Sequence, residues 1–271
     1  FAKSTYGGGS QVHKEIDLFE NVRMAREEFI RNNPSLLNHY PDLITNNLLN
    51  YGAPRKADLE FKSTIPSYIN DYILYLTSKS DRTFIKFTRM HSKVKCLHKI
   101  APNAKFIHIV RDPRQVVASY LFGKNKSDQI KFHNKDVFFE RISQMNKWSS
   151  RPFSDHILNM YGYKNLNSIE DFFRILAIWK YKFETTHKIG RICFGKNYFL
   201  FNHEKFRSKP IEQISMLFNF LEVPVSNHVL EWAKSNIKKP SKPYEEGDKR
   251  WEDAFNRLNL WEALELLEIR L

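Results

Sequence analysis

The run Phe106 to Ser119, F-I-H-I-V-R-D-P-R-Q-V-V-A-S, constrains the fold more than any other stretch of the chain. Lys105 to Val110 is rich in β-branched and aromatic residues. It is bounded by Pro102-Asn103 before and Arg111-Asp112-Pro113 after, which predicts a buried strand. Pro113 suits a turn or the first position of a helix, and Gln115 to Tyr120 begins one. A strand that stops at Arg111 and returns as a helix puts Arg111 at the carboxyl edge of a sheet, where open α/β folds bind ligands. Ser119 then falls about two turns into that helix, at roughly 3.6 residues per turn. A guanidinium fork at the strand end and a hydroxyl on the returning helix can hold one phosphate from two sides. The competing reading makes Arg111 and Asp112 a solvated cap pair and Ser119 an ordinary surface residue.

Alternation of short apolar runs with helical patterns extends on both sides. Phe84-Ile85-Lys86-Phe87 reads as a short strand, and Met90 to Ile100 carries Val94, Leu97 and Ile100 at helical spacing. With the strand ending at Val110 they make a strand–helix–strand unit with parallel strands. Gly195-Lys196-Asn197 announces another strand, Tyr198 to Phe201. Helical patterns flank it: Ile169 to Lys188, with Phe172, Ile175, Leu176 and Trp179 on one face, and Pro210 to Leu221, with Ile211, Ile214, Leu217 and Phe218. The expected fold class is α/β, an open and mostly parallel sheet with helices on both faces. Asn125 to Ile169 is polar and aromatic without a clear period and reads as loops framing a substrate cleft. Ile237 to Arg250 also reads as a loop. A last helix is expected over Trp251 to Leu271, burying Trp251, Phe255, Leu258, Leu260 and Leu264.

Charge narrows what such a fold binds. Lys and Arg number 43 against 30 Asp and Glu, a formal net charge of +13, which points to an anionic partner: nucleic acid, acidic membrane, or a small molecule bearing phosphate or sulfate. Two cysteines, Cys96 and Cys193, exclude a disulfide framework and a cysteine-based zinc site. None of the ten histidines has a metal-ligand spacing. No run approaches the roughly 18 apolar residues of a membrane span, and the first residues lack the pattern of a signal peptide. The expectation is a soluble, cytoplasmic protein. Its start at Phe1 reads as a domain cut from something longer.

With Pro102-Asn103-Ala104-Lys105 before it, the Phe106 to Ser119 segment resembles the 3′-phosphate-binding motif of the sulfotransferases, which use 3′-phosphoadenosine 5′-phosphosulfate (PAPS). The resemblance implies a P-loop NTPase-like architecture, with residues 1–271 as one sulfotransferase domain and Arg111 and Ser119 on the cofactor's 3′-phosphate. In the family a phosphosulfate-binding loop, P-R/K-S-G-[ST]-T, lies between the first strand and first helix. Here Phe1 to Gln11 occupies that place, followed by Val12, Ile16 and Phe19 at helical spacing. Gly7, Gly8, Gly9, Ser10 and Gln11 are then the candidates for a nest of backbone N–H groups at a helix N-terminus. Tyr6 replaces the usual Pro, and Gly7 the usual Arg or Lys. The competing reading makes Gly7 to Ser10 a flexible linker. A Walker A loop is excluded, because no Lys-Ser or Lys-Thr pair follows the glycines.

Lys86-Phe87-Thr88-Arg89 resembles the family's K-[ST]-P-R segment. Lys86 would balance charge developing on the bridging oxygen and Arg89 would reach the phosphates, although lone cations of this kind are ordinarily solvated surface groups. Ile178-Trp179, Tyr198 to Phe201, Asn202 to Pro210 and Phe218 to Leu221 look like the W…R-Y-E-D-L…P…F-L-G region, with His203 where Tyr is usual. Those positions are mainly architectural. Lys242 and Gly247-Asp248-Lys249-Arg250-Trp251 loosely resemble the loop that closes over the cofactor, and read otherwise as a solvated basic loop.

The resemblance therefore implies a PAPS-dependent transferase. It would move a sulfuryl group to a hydroxyl or amine of a small-molecule, glycan or lipid acceptor and leave adenosine 3′,5′-bisphosphate, with neither a metal nor a nucleic-acid partner. Positioning and electrostatics would supply most of the catalysis. Family members use His or Glu as base. Thr88 stands where the cytosolic branch has His. Glu28 stands by spacing for the Glu of other branches, in a helical pattern with Arg26 and Phe29 that also suits a surface ion pair. His39 and His91 are further candidates. The alternative from another class is a catalytically inactive nucleotide- or polyanion-binding domain of the same fold, motivated by Gly7. Nonspecific nucleic-acid binding rests on charge alone.

Overall fold

A computed structural model of the chain describes residues 2–4, 28–35, 38, 61–65, 67–78, 82–87, 90–122, 134–142 and 151–269. They belong to two compact units, Phe1–Pro102 and Asn103–Leu271.

In the first unit, strand β1 (Ala2–Ser4) runs parallel to β2 (Phe84–Lys86), with Ala2 opposite Phe84 and Ser4 opposite Lys86. Residues 28–32 are helical. Helix α1 (Ser67–Thr77) and, after a 3₁₀ turn at His91–Lys93, helix α2 (Val94–Ile100) complete the described elements. In α1 the spacing of Tyr72, Ile73 and Leu76 makes one apolar stripe. That stripe is buried with Phe29 and Ile30, and Ile85, Phe87, Leu97 and Ile100 pack against it. The chain before α1 is tied to the turn and α2 by two bonds. Ser92 Oγ donates to the Lys62 carbonyl (3.0 Å) and Cys96 Sγ to that of Ser63 (2.9 Å).

In the second unit, β3 (Phe106–Val110) runs parallel to β4 (Tyr198–Asn202), from Phe106 opposite Tyr198 to Val110 opposite Asn202. Among the described residues, four helices lie between them in the chain: α3 (Pro113–Phe122), α4 (Lys135–Glu140), α5 (Arg151–Met160) and α6 (Asp171–Phe194). Five follow: α7 (His203–Ser208), α8 (Pro210–Phe220), α9 (Asn227–Asn236), α10 (Lys249–Leu258) and α11 (Trp261–Leu266). Side chains alternate across a strand. Phe106 and His108 accordingly stack on Phe194 and Phe183 of α6 (4.8 and 5.8 Å), while Phe199 and Phe201, on the opposite face, meet Phe220 of α8 and Phe206 of α7 (4.9 and 5.2 Å). Helices therefore cover both faces of this pair, as expected of a parallel sheet. The core follows α6, where Phe172, Phe173, Ile175, Leu176, Trp179 and Phe183 are all buried. Arg174 is buried among them because each nitrogen of its guanidinium has a partner: the Ile169 and Leu166 carbonyls, the Ser154 hydroxyl and the Asp155 carboxylate.

The architecture departs from the sequence expectation in four places. The described strands form two parallel two-stranded sheets in place of one open sheet. The stretch expected to be loops holds α4 and α5 among its described residues, and three of its aromatics belong to the core. Phe138, Phe139 and Phe153 are buried, the first two packing on Trp251 at 5.9 and 5.2 Å. Helix α4, K-D-V-F-F-E, is too short for a 3.6-residue period to register. It starts where the Asn134 side chain accepts from the Asp136 N–H (2.8 Å). Helix α6 runs past Lys188 to Phe194, stopped by Gly195 at φ 51°. The expected final helix is two, because Asn259 adopts the left-handed conformation (φ 50°, ψ 59°) and its N–H donates back to the Phe255 and Asn256 carbonyls. Trp251, Phe255, Leu258, Leu260 and Leu264 are buried all the same. No helix among the described residues is long and apolar enough to cross a membrane.

Candidate functional site

Strand β3 delivers Arg111 to the corner where the chain turns into α3. The corner is fixed from behind by Trp179 of α6, whose Nε1 donates to the Arg111 carbonyl (3.1 Å). Pro113 has no N–H to satisfy and its φ is already helical, so the next free donor is the Arg114 N–H. Asp112 accepts it at Oδ1 (2.8 Å) and takes the Arg114 guanidinium on both oxygens, from Nε at 3.2 Å and Nη2 at 2.8 Å. Both side chains are almost wholly buried. The solvated cap pair of Arg111 and Asp112 is thereby corrected: Asp112 is a cap, but its partner is Arg114 and the pair lies inside. The carboxylate is spent there, so it does not cancel Arg111.

The Arg111 guanidinium turns along α3. Its Nε and Nη2 both donate to Gln115 Oε1, at 3.1 and 2.6 Å. Gln115 is buried, and its Nε2 donates onward to the Ser241 carbonyl (2.8 Å). Ser119 is one turn farther along α3 and exposed. Arg111, Gln115 and Ser119 thus follow one face at four-residue intervals. The sequence reading named the outer two as candidates and did not name Gln115; the four-residue spacing on either side was the available signal.

Ser241 belongs to the segment leading to α10, which Arg207 also holds, with Nε on the Lys238 carbonyl (2.8 Å) and Nη2 on that of Lys239 (2.7 Å). Lys242 next to it is 90% exposed, 3.6 Å from Glu246. At the start of α10 the cap at Asp112 recurs. Asp248 Oδ1 accepts from the Arg250 N–H (2.9 Å), and the Arg250 guanidinium returns to both carboxylate oxygens (3.0 and 2.8 Å). Arg250 also donates to Asp136 (2.8 Å) and lies 4.3 Å over the Phe139 ring. The hydrogen bonds from Arg250, more than its charge, hold the Asp248 carboxyl down at about 2. In the loosely matched Gly247 to Trp251 run, Arg250 is therefore committed to the fold.

At the start of β4, opposite Phe106, Tyr198 Oη lies 2.9 Å from Nδ1 of both His108 and His187. One phenol proton serves one imidazole, so the other imidazole must donate to the phenol oxygen, and the two rings carry opposite tautomers. Burial, with His187 adding to it, holds His108 down at about 3. Burial and then Arg191 lower His187, and burial raises Tyr198.

In the first unit Lys86 ends β2 and is exposed, in register with Ser4 at the end of β1. The two strands of this pair therefore end at one edge. Glu28 is half-buried in the helical stretch whose Phe29 and Ile30 enter the core. His91 is buried in the 3₁₀ turn. Gly7, Gly8, Gly9, Ser10, Gln11, His39, Thr88 and Arg89 lie outside the described residues.

Set against known proteins, residues 11–227 match a family model described as the sulfotransferase family. No curated protein and no solved structure matches the chain.

Proposed function

The chain belongs to the sulfotransferase family, and on that premise we propose that it transfers a sulfuryl group from PAPS to a hydroxyl or amine on a small-molecule, glycan or lipid acceptor. The observation that carries this reading is the corner at the end of β3. Arg111 keeps its terminal N–H edge clear of Gln115, Asp112 is neutralised by Arg114, and the Ser119 hydroxyl is exposed on the same helix face. That combination suits a phosphate dianion, which takes a guanidinium fork and a hydroxyl together. Arg111 and Ser119 hold the donor's 3′-phosphate.

The remaining roles follow the family pattern. Backbone N–H groups of Gly7, Gly8, Gly9, Ser10 and Gln11 cradle the phosphosulfate, Lys86 and Arg89 offset charge on the departing 5′-phosphate, and Glu28 takes the acceptor's proton. The donor supplies the sulfuryl group: the acceptor's bond to sulfur forms as the sulfur–oxygen bond to the 5′-phosphate breaks. The register of Lys86 with Ser4 supports its part, since both strands end at one edge.

Calorimetry with adenosine 3′,5′-bisphosphate tests the proposal. Arg111→Ala should weaken binding by about 10- to 100-fold, the worth of charged hydrogen bonds at about 1.5–3 kcal/mol. No binding by the wild type, or binding indifferent to Arg111→Ala, refutes it. Gly7, where the family carries a cation, favours a second reading: a catalytically inactive nucleotide- or polyanion-binding domain of the same fold. A transfer and donor-hydrolysis assay separates the two, because that domain would retain the nucleotide without turnover.

A further inference from the structure

Gln115 uses one amide for three hydrogen bonds: Oε1 accepts from Nε and Nη2 of Arg111, and Nε2 donates to the Ser241 carbonyl. The side chain is buried, so it cannot swing away without stranding a donor and an acceptor. The two Arg111 N–H groups it engages lie on the side edge of the guanidinium. The end edge, Nη1 with the second Nη2 hydrogen, is the one that receives two phosphate oxygens in a fork. The neutrality of the amide matters. A carboxylate at this position would orient Arg111 equally well but cancel its charge, and would have no N–H to give Ser241. The amide end reaches a residue beside the exposed Lys242, in a segment that Arg207 anchors independently at Lys238 and Lys239.

We infer that Gln115 is a positioning residue: it aims the end edge of Arg111 at the 3′-phosphate and fastens the segment around Ser241 to the same corner. Anion binding at Arg111 and the order of residues 241–248 are thereby coupled. The inference rests on the proposed role of Arg111 as a 3′-phosphate ligand.

The test is a double-mutant cycle on the full chain, read by calorimetry with adenosine 3′,5′-bisphosphate and with adenosine 5′-monophosphate, which lacks the 3′-phosphate. Gln115→Leu should weaken bisphosphate binding by about tenfold and leave the monophosphate within about twofold. Combined with Arg111→Ala it should add nothing to the loss from Arg111→Ala alone. Hydrogen exchange over 241–248 should slow on bisphosphate binding in the wild type and not in the variant. Should Gln115→Leu fail to fold, the near-isosteric Gln115→Glu carries the same comparison, and its bisphosphate affinity should fall as far or farther. Wild-type bisphosphate affinity in the Gln115 variant, equal weakening of both nucleotides, or additivity with Arg111→Ala overturns the inference and leaves the proposed function standing. A wild type that does not bind the bisphosphate overturns both.

Discussion

Asp112 and Arg114 show how closely cap and ion pair are joined in this corner. Removing one partner of a buried pair leaves the other charge without compensation, at about 3–5 kcal/mol. Asp112→Ala should therefore lower the urea unfolding free energy by about that amount, whereas Ser119→Ala, at an exposed position, should change it by less than about 0.5 kcal/mol. His108 makes a prediction in pH. Its folded value of about 3 lies below the ordinary 6.5, so between those limits the unfolded chain binds the proton first. Stability contributed by neutral His108 is thus whole above about pH 6.5 and lost progressively as pH falls toward 3. Unfolding midpoints measured across that range should fall with acid, and His108→Gln should flatten the decline. Asp248 acts lower, its contribution being lost only as pH drops from the ordinary 3.8 toward about 2.

Helix α6 carries a contrast between local propensity and packing at Gly190. Glycine inside a helix costs up to about 1 kcal/mol relative to alanine, so Gly190→Ala would ordinarily stabilise. A Cβ there would lie 2.5 Å from Cε2 and 2.7 Å from Cδ2 of the Tyr198 ring, which His108 and His187 hold at its hydroxyl. Overlap should win, and Gly190→Ala should destabilise by about 1–3 kcal/mol in chemical denaturation. Legibility at this scale tracked length. Helices α6 and α8 repeat their apolar pattern often enough for a period to appear, strand β3 is marked by its β-branched run and the turn residues that bound it, and all three were readable. Strand β1 is three residues long and α4 barely exceeds one turn, so their boundaries depend on caps and partners, whereas β2 was legible despite its length from the apolar run at Phe84 to Phe87. The break at Asn259 was hidden for another reason, since the apolar pattern continues through it unchanged.

The charge of the whole molecule sets the reach of the corner. With +13 over the chain, a donor bearing several negative charges is attracted at long range, and salt screens that attraction with a Debye length of about 10 Å at 0.1 M. Bisphosphate affinity should weaken by about tenfold or more between 50 and 500 mM salt, while affinity for uncharged adenosine stays level; titrations at several ionic strengths decide it. The excess is only partly available for such work, because Arg114, Arg174, Arg207 and Arg250 are bound within the fold by carboxylates and carbonyls. Composition counts those guanidiniums alongside Arg111, and nothing in a count separates them. By itself the sequence determined the strand, turn and helix of Phe106 to Ser119. A β-branched run, a proline at the first helical position and a capping aspartate act within a few residues of one another. The bond from Trp179 to the Arg111 carbonyl and the bond from Gln115 to Ser241 join residues 68 and 126 positions apart, and only the tertiary structure decided them. Contacts at such separations are selected by the packing of the elements between them, which closes the intervening chain, and no local preference encodes that closure.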